Sequence, residues 1–258
     1  MHQRSALYWA LNDSLTMIRR SLRHTLRNVD SLLLSAILPI MLLLLFVHVF
    51  GGAIDTSGQY VNYVVPGIIL LCAGYGSANT AIGVANDMVT GIIDRFRSLP
   101  ILSSAVLTGH VVASLARNAF ATLLVIAAAY LNGFRPAASL LDWLAVGGVL
   151  LLFILAMSWL AVALGLTAKT VEGASGFTFV ILFLPYLSSA FVPTATMPAA
   201  LRVIADHQPI TPVIETLRAL MLGTPVGMNG WLTMAWFTGI LAVSCTLATY
   251  QFKQRNAG

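Results

Sequence analysis

The sequence predicts an all-α integral membrane protein whose chain crosses the bilayer six times. Three observations carry that reading. Of 258 residues, 58% are hydrophobic and 9% are charged, where a soluble domain carries about 25% charged residues. The mean hydropathy is +0.86. The apolar residues also gather into six runs, each near the length of about 20 residues that a ~30 Å hydrocarbon core requires. A chain this poor in charge has too little polar surface to face water on every side. The net charge of +5 is carried beside the apolar runs, a placement that points to membrane topology and away from nucleic acid. Cys72 and Cys245 each lie inside an apolar run and read as small core residues, with no disulfide framework or metal-ligand spacing.

Residues 1–30 are polar and basic, too polar at the start for a secretory signal. Leu7, Leu11, Leu15, Ile18, Leu22, Leu26 and Val29 draw one helical stripe, flanked by Arg19, Arg20, Arg23 and Arg27. That pattern predicts an amphipathic interface helix on the cytoplasmic membrane surface. A soluble helix packed on a partner is the alternative. Residues 31–258 form the six-span transmembrane domain, with spans at 31–50, 63–88, 104–131, 141–166, 176–192 and 230–252. Asp30 or Ser31 is the expected N-cap of the first span, and Pro39 its expected kink. The second is rich in small residues (Gly67, Gly74, Gly76, Ser77, Ala78, Gly83), which let membrane helices approach closely. Asp142 and Trp143 mark an interfacial start to the fourth.

Lys and Arg set the orientation. The N-terminus, the 89–103 and 167–175 loops and the C-terminal tail hold ten bases, against three (Arg135, Arg202, Arg218) in the alternate connections. The excess predicts both termini in the cytoplasm. The segment 193–229 then lies outside. It contains five of the ten prolines and two short helical stretches, about 199–205 and 213–222. Leu217, Leu220 and Met221 there require a dry partner. Two half-helices re-entering the membrane meet that need where protein surrounds them, and a helix pair lying on lipid is the alternative.

Charges within spans are costly, about 2.5–3.5 kcal/mol near the centre. Arg117 must lie in the third span, because the apolar run after it is too short to cross alone. It either snorkels to the inner headgroups, lines the inner mouth, or pairs with Asp87 or Glu172. His48, near the outer end of the first span, reads as a packing histidine.

In the loop after the second span, Ile92, Ile93, Phe96 and Leu99 fall on one face of a short helix that also carries Asp94, Arg95 and Arg97. Such a helix docks in a protein groove, lies on headgroups, or is a plain basic loop. The full string Gly91-Ile92-Ile93-Asp94-Arg95-Phe96-Arg97-Ser98-Leu99-Pro100, continued by Ala105-Val106-Leu107-Thr108-Gly109, resembles the signature of ABC-2 type ABC transporter permeases of the daunorubicin/doxorubicin drug-resistance subfamily. It departs from that pattern after Pro100 and at His110, where relatives often carry arginine.

The resemblance implies a type-2 ABC exporter permease fold, with the amphipathic helix, six spans and two short external re-entrant helices before the last span. It implies a coupling helix that meets a separate ATPase subunit through Asp87, Gly91, Ile92, Asp94, Arg95, Phe96, Arg97, Leu99 and Pro100. ATP and Mg would sit on that subunit, with no cofactor in this chain. A second permease copy, identical or not, would complete the path for an amphipathic or lipid-like molecule across a bacterial or archaeal cell membrane. The residues are consistent with this division of labour. The chain has no G-x-x-x-x-G-K-[ST] loop, no H-E-x-x-H, no C-x-x-C and no G-x-S-x-G. A self-sufficient secondary transporter or channel is the competing reading, and it would call for acidic or unwound sites at midplane. An intramembrane enzyme would need clustered catalytic groups.

Overall fold

The computed structural model describes residues 29–55, 58–91, 103–168 and 170–254. The expected interface helix over residues 1–30 falls almost wholly outside these residues, as does the segment 92–102. Among the described residues every regular element is helical.

Helix α1 (Val29–Leu44) continues through a π-helical turn at Leu45–Phe50 into the short α2 (Gly51–Ile54). Asp30 and Ser31, expected as caps, are already helical. Pro39 is buried within α1. Four further long helices follow: α3 (Tyr60–Val89), α4 (Ser103–Leu131), α5 (Leu140–Thr167) and, at the end of the chain, α9 (Met228–Gln254). Each lies within three residues of its expected bounds. Ser139 opens α5 with a reciprocal capping box, accepting from the Asp142 amide while the Asp142 carboxylate accepts from the Ser139 amide at 2.8 Å. Five helices among the described residues are long and apolar enough to cross a membrane.

The segment expected as a span at 176–192 is different. Helix α6 (Val171–Phe183) starts earlier, where the Thr170 hydroxyl accepts from the Gly173 amide at 3.1 Å. It ends earlier too, passing into a 3₁₀ turn at Leu184–Leu187 and then into non-helical chain. Pro185 is the physical reason: it has no N–H to give, and its ring clashes with the carbonyl four residues back. The apolar run continues past it, but the helix does not. Two short helices then precede α9: α7 (Ala199–His207) and α8 (Ile210–Leu222).

Helix α3 is the hub of the bundle, packing against α1, α4, α5, α6 and α8. From Val64 to Gly74 every residue of it is buried, as expected of a helix enclosed on all sides. Beyond Gly74 its burial becomes one-sided. Helix α9 packs on α5 and α8, at the periphery. A second cluster of Val84, Leu107, Val111, Val162, Leu166 and Phe252 joins α3, α4, α5 and α9 at the opposite end from α8.

Candidate transport and coupling sites

Three polar clusters interrupt the apolar bundle, one at each end and one in the middle. At the end where α3 finishes and α4 begins, Asp87 and His110 meet with Oδ2 and Nε2 3.1 Å apart, both side chains 24% exposed. Asp87 is in the last turn of α3, and Gly91, at a φ of 70° that only glycine adopts freely, turns the chain just beyond it. The pair therefore joins the two helices that lead into and out of the expected coupling segment. Ile92, Asp94, Arg95, Phe96, Arg97, Leu99 and Pro100 lie outside the described residues. Asp87, grouped with them from sequence, has its carboxylate on His110.

Midway along α3, a polar seam runs to α4 and α5. Asn118 donates to the Ser114 carbonyl at 3.0 Å and to its hydroxyl at 3.2 Å, and reaches the Ser77 hydroxyl at 3.4 Å. Ser158 of α5 donates to the Ser114 hydroxyl at 2.8 Å. Gly76 makes the seam feasible, because the Asn118 amide occupies the space a Cβ would take. Arg117 reaches the Gly76 carbonyl through Nη2 at 3.4 Å, while its Nε is buried without a partner. The ion pairs drawn from sequence do not form: Asp87 is on His110, and among the described residues no carboxylate bridges Arg117. Its head rests at the level of Gly76, mid-helix.

At the other end, Arg218 of α8 is 8% exposed. It donates from Nε and Nη2 to the Tyr63 carbonyl, both at 3.1 Å, and from Nη2 to the Ser189 carbonyl at 2.8 Å. It pairs with Glu215 and lies over the Tyr63 ring, 3.8 Å from its centroid. Tyr63 donates to the Ser189 carbonyl at 2.9 Å, Tyr60 to that of Phe191 at 2.8 Å, and Gln208 to those of Leu184 and Leu187. Breaking α6 frees backbone carbonyls in a dry region, where each unpaired group is costly. Side chains from α3, α8 and the α7–α8 junction take them up. Sequence reasoning placed Arg218 only as an outer base and missed this role. Leu217 and Met221 are fully buried and Leu220 half-buried against the core, as their apolar character requires. Helix α7 instead leaves Leu201, Val203 and Ile204 exposed. His48 donates a 2.7 Å hydrogen bond from Nε2 to the Asn132 side-chain oxygen at this end, and is exposed, not packed.

These features, long apolar helices around a central one and a stitched break at one end, define a polytopic membrane permease. The class has a family: residues 13–222 match the ABC-2 type transporter family, and the chain belongs to it. Within it, the chain resembles drug-resistance permeases along nearly all its length. It is 28% identical over 257 residues to the daunorubicin resistance ABC transporter permease protein DrrB1 of Streptomyces coeruleorubidus, covering 99% of this chain and 91% of that protein. It is 27% identical over 235 residues to the probable doxorubicin resistance ABC transporter permease protein DrrC of Mycobacterium tuberculosis, covering 89% and 84%.

Proposed function

We propose that this chain is the membrane permease subunit of an ABC exporter that moves an amphipathic small molecule, of the drug or lipid type, outward. The observation that carries the reading is the family match, which runs from before α1 through α8 and so includes the loop with the Arg95-Phe96-Arg97-Ser98-Leu99-Pro100 string. The names of its relatives, permeases for daunorubicin and doxorubicin resistance, support the cargo class. Work enters from a separate ATPase subunit, which holds ATP and Mg. The coupling contact is the 91–100 segment, with Ile92, Phe96 and Leu99 filling a groove on the partner and Asp94, Arg95 and Arg97 fixing its register. Asp87 acts from behind it, through His110. Six helices make a thin wall around a bulky cargo, which supports a second permease copy. The termini face the cytoplasm, on the count of bases.

The test is reconstitution of the permease with its ATPase partner, reading ATP hydrolysis, efflux and partner pull-down together. Aromatic and arginine anchors of such contacts cost about 2 kcal/mol or more when truncated. A Phe96→Ala, Arg95→Glu double variant is expected to lose partner binding or to hydrolyse ATP without efflux. Full transport by that variant overturns the coupling assignment. The permease alone is expected to hydrolyse no ATP.

A further inference from the structure

Past Gly74, α3 leaves Gly83 part-exposed and, beside it, Tyr75, Asn79, Ile82 and Asn86 part-exposed or exposed. The steps of four, three and four between these last four place them on one stripe. Neighbouring directions are taken: Gly76 faces Asn118 of α4, the Ala78 carbonyl receives the Thr178 hydroxyl of α6, and Ala81 abuts Gly165 of α5. The stripe is thus a face of the hub helix that these helices leave open, and three of its four residues are polar. Polar groups inside a span face protein or water, because facing lipid costs too much. Within the described residues no hydrogen bond engages the side chains of Tyr75, Asn79 or Asn86.

Arg117 stands at the edge of this stripe. Its guanidinium rests on the carbonyl of Gly76, next in the chain to Tyr75 and within a turn of Asn79. Among the described residues it has one long hydrogen bond, a buried partnerless Nε and no carboxylate bridging it. A charge so placed calls for a counter-charge. We propose that Arg117, beside the open stripe Tyr75–Asn79–Asn86, binds the anionic group of an amphipathic cargo. A phosphate, sulfate or carboxylate fits the guanidinium fork, which pairs with two oxygens at once. The mid-span depth favours a group carried on an apolar tail over a free ion. The amide and phenol side chains of the stripe supply the hydrogen bonds such a group loses on leaving water. The inference rests on the export reading and names the chemistry of its cargo.

The experiment uses the permease–ATPase complex in nanodiscs of neutral phosphatidylcholine, without nucleotide. Binding of dodecyl phosphate is compared with that of dodecyltrimethylammonium, with inorganic phosphate as competitor. The parent is expected to prefer dodecyl phosphate by about tenfold or more. Arg117→Gln should erase the preference and Arg117→Lys keep part of it. Asn79→Asp, which leaves Arg117 in place, should also weaken dodecyl phosphate, and it carries the test if Arg117→Gln fails to assemble. Equal binding of the two amphiphiles, or a preference that survives both Arg117→Gln and Asn79→Asp, overturns the proposal. Competition by inorganic phosphate as strong as by dodecyl phosphate overturns the amphipathic cargo. Direct cross-linking between copies through Asn79→Cys, in a variant lacking Cys72 and Cys245, overturns it in favour of a second copy covering the stripe. A pull-down on the same sample separates the two readings. Intact partner association with no anion preference sinks this site alone, and lost association with the preference retained sinks the export reading alone.

Discussion

Arg218 does its work by pairing with groups far away in the chain, including the Tyr63 carbonyl 155 positions back. Hydrogen bonds to a charged group contribute about 1.5–3 kcal/mol each. Arg218→Met keeps most of the volume but leaves the Ser189 carbonyl with Tyr63 alone and Glu215 without its partner. We expect it to destabilise the protein by roughly 2 kcal/mol or more, read as a fall in the thermal midpoint in detergent. Lysine, a point charge without the fork, should recover only part of that. A second residue-scale test is Leu220→Lys. Leu220 packs on the core from α8, so a charge there is buried without a partner, and surface expression or efflux should drop sharply. A variant that expresses and transports like the parent would refute burial of that face. The need of Leu217, Leu220 and Met221 for a dry partner was legible because apolar side chains state it themselves. The clamp was not. A base in a connecting segment looks the same in sequence whether it is solvated or wrapped in carbonyls, and the carbonyls that wrap this one lie 29 and 155 positions away.

At the scale of elements, the long helices were legible because an unbroken apolar run of sufficient length has few other uses. The course of α6 was not, because hydropathy reports dryness and not straightness, and the apolar run continues across Pro185. The ends of α3 and α4 were legible as flanks of a signature loop, but His110, read there only as a departure from the family, turned out to grip Asp87. A part-exposed pair of this kind contributes at most about 1 kcal/mol to stability. His110→Ala is therefore expected to leave the thermal midpoint nearly unchanged. Its effect should fall on efflux per ATP hydrolysed, because the two helices bracketing the coupling segment are no longer tied. His110→Arg, which can still pair with Asp87, should restore the ratio. A large stability loss with normal coupling would assign the pair a structural role only.

Across the whole molecule, three connections converge at the end of the bundle that carries α8. The Arg135 amide donates to the Asn62 side chain at 3.1 Å, and the Ala137 amide to the Met221 carbonyl at 3.0 Å. If the count of bases sets the orientation, that end faces out. Single cysteines at Asp55, Arg135 and Thr224, in a variant lacking Cys72 and Cys245, should then react with an impermeant thiol reagent on intact cells. Protection of all three would invert the topology. The stitched break in α6 also sets an order for biogenesis. The carbonyls of Leu184 and Leu187 wait for Gln208, which emerges from the ribosome 24 and 21 residues later, and that of Ser189 waits 29 residues for Arg218. Until then that end of α6 lacks these donors for its carbonyls and cannot settle into the bilayer. A chain stalled before residue 208 is therefore expected to hold α6 loosely and to be cleared by membrane proteases, whereas one released after α8 should persist even before α9 is inserted.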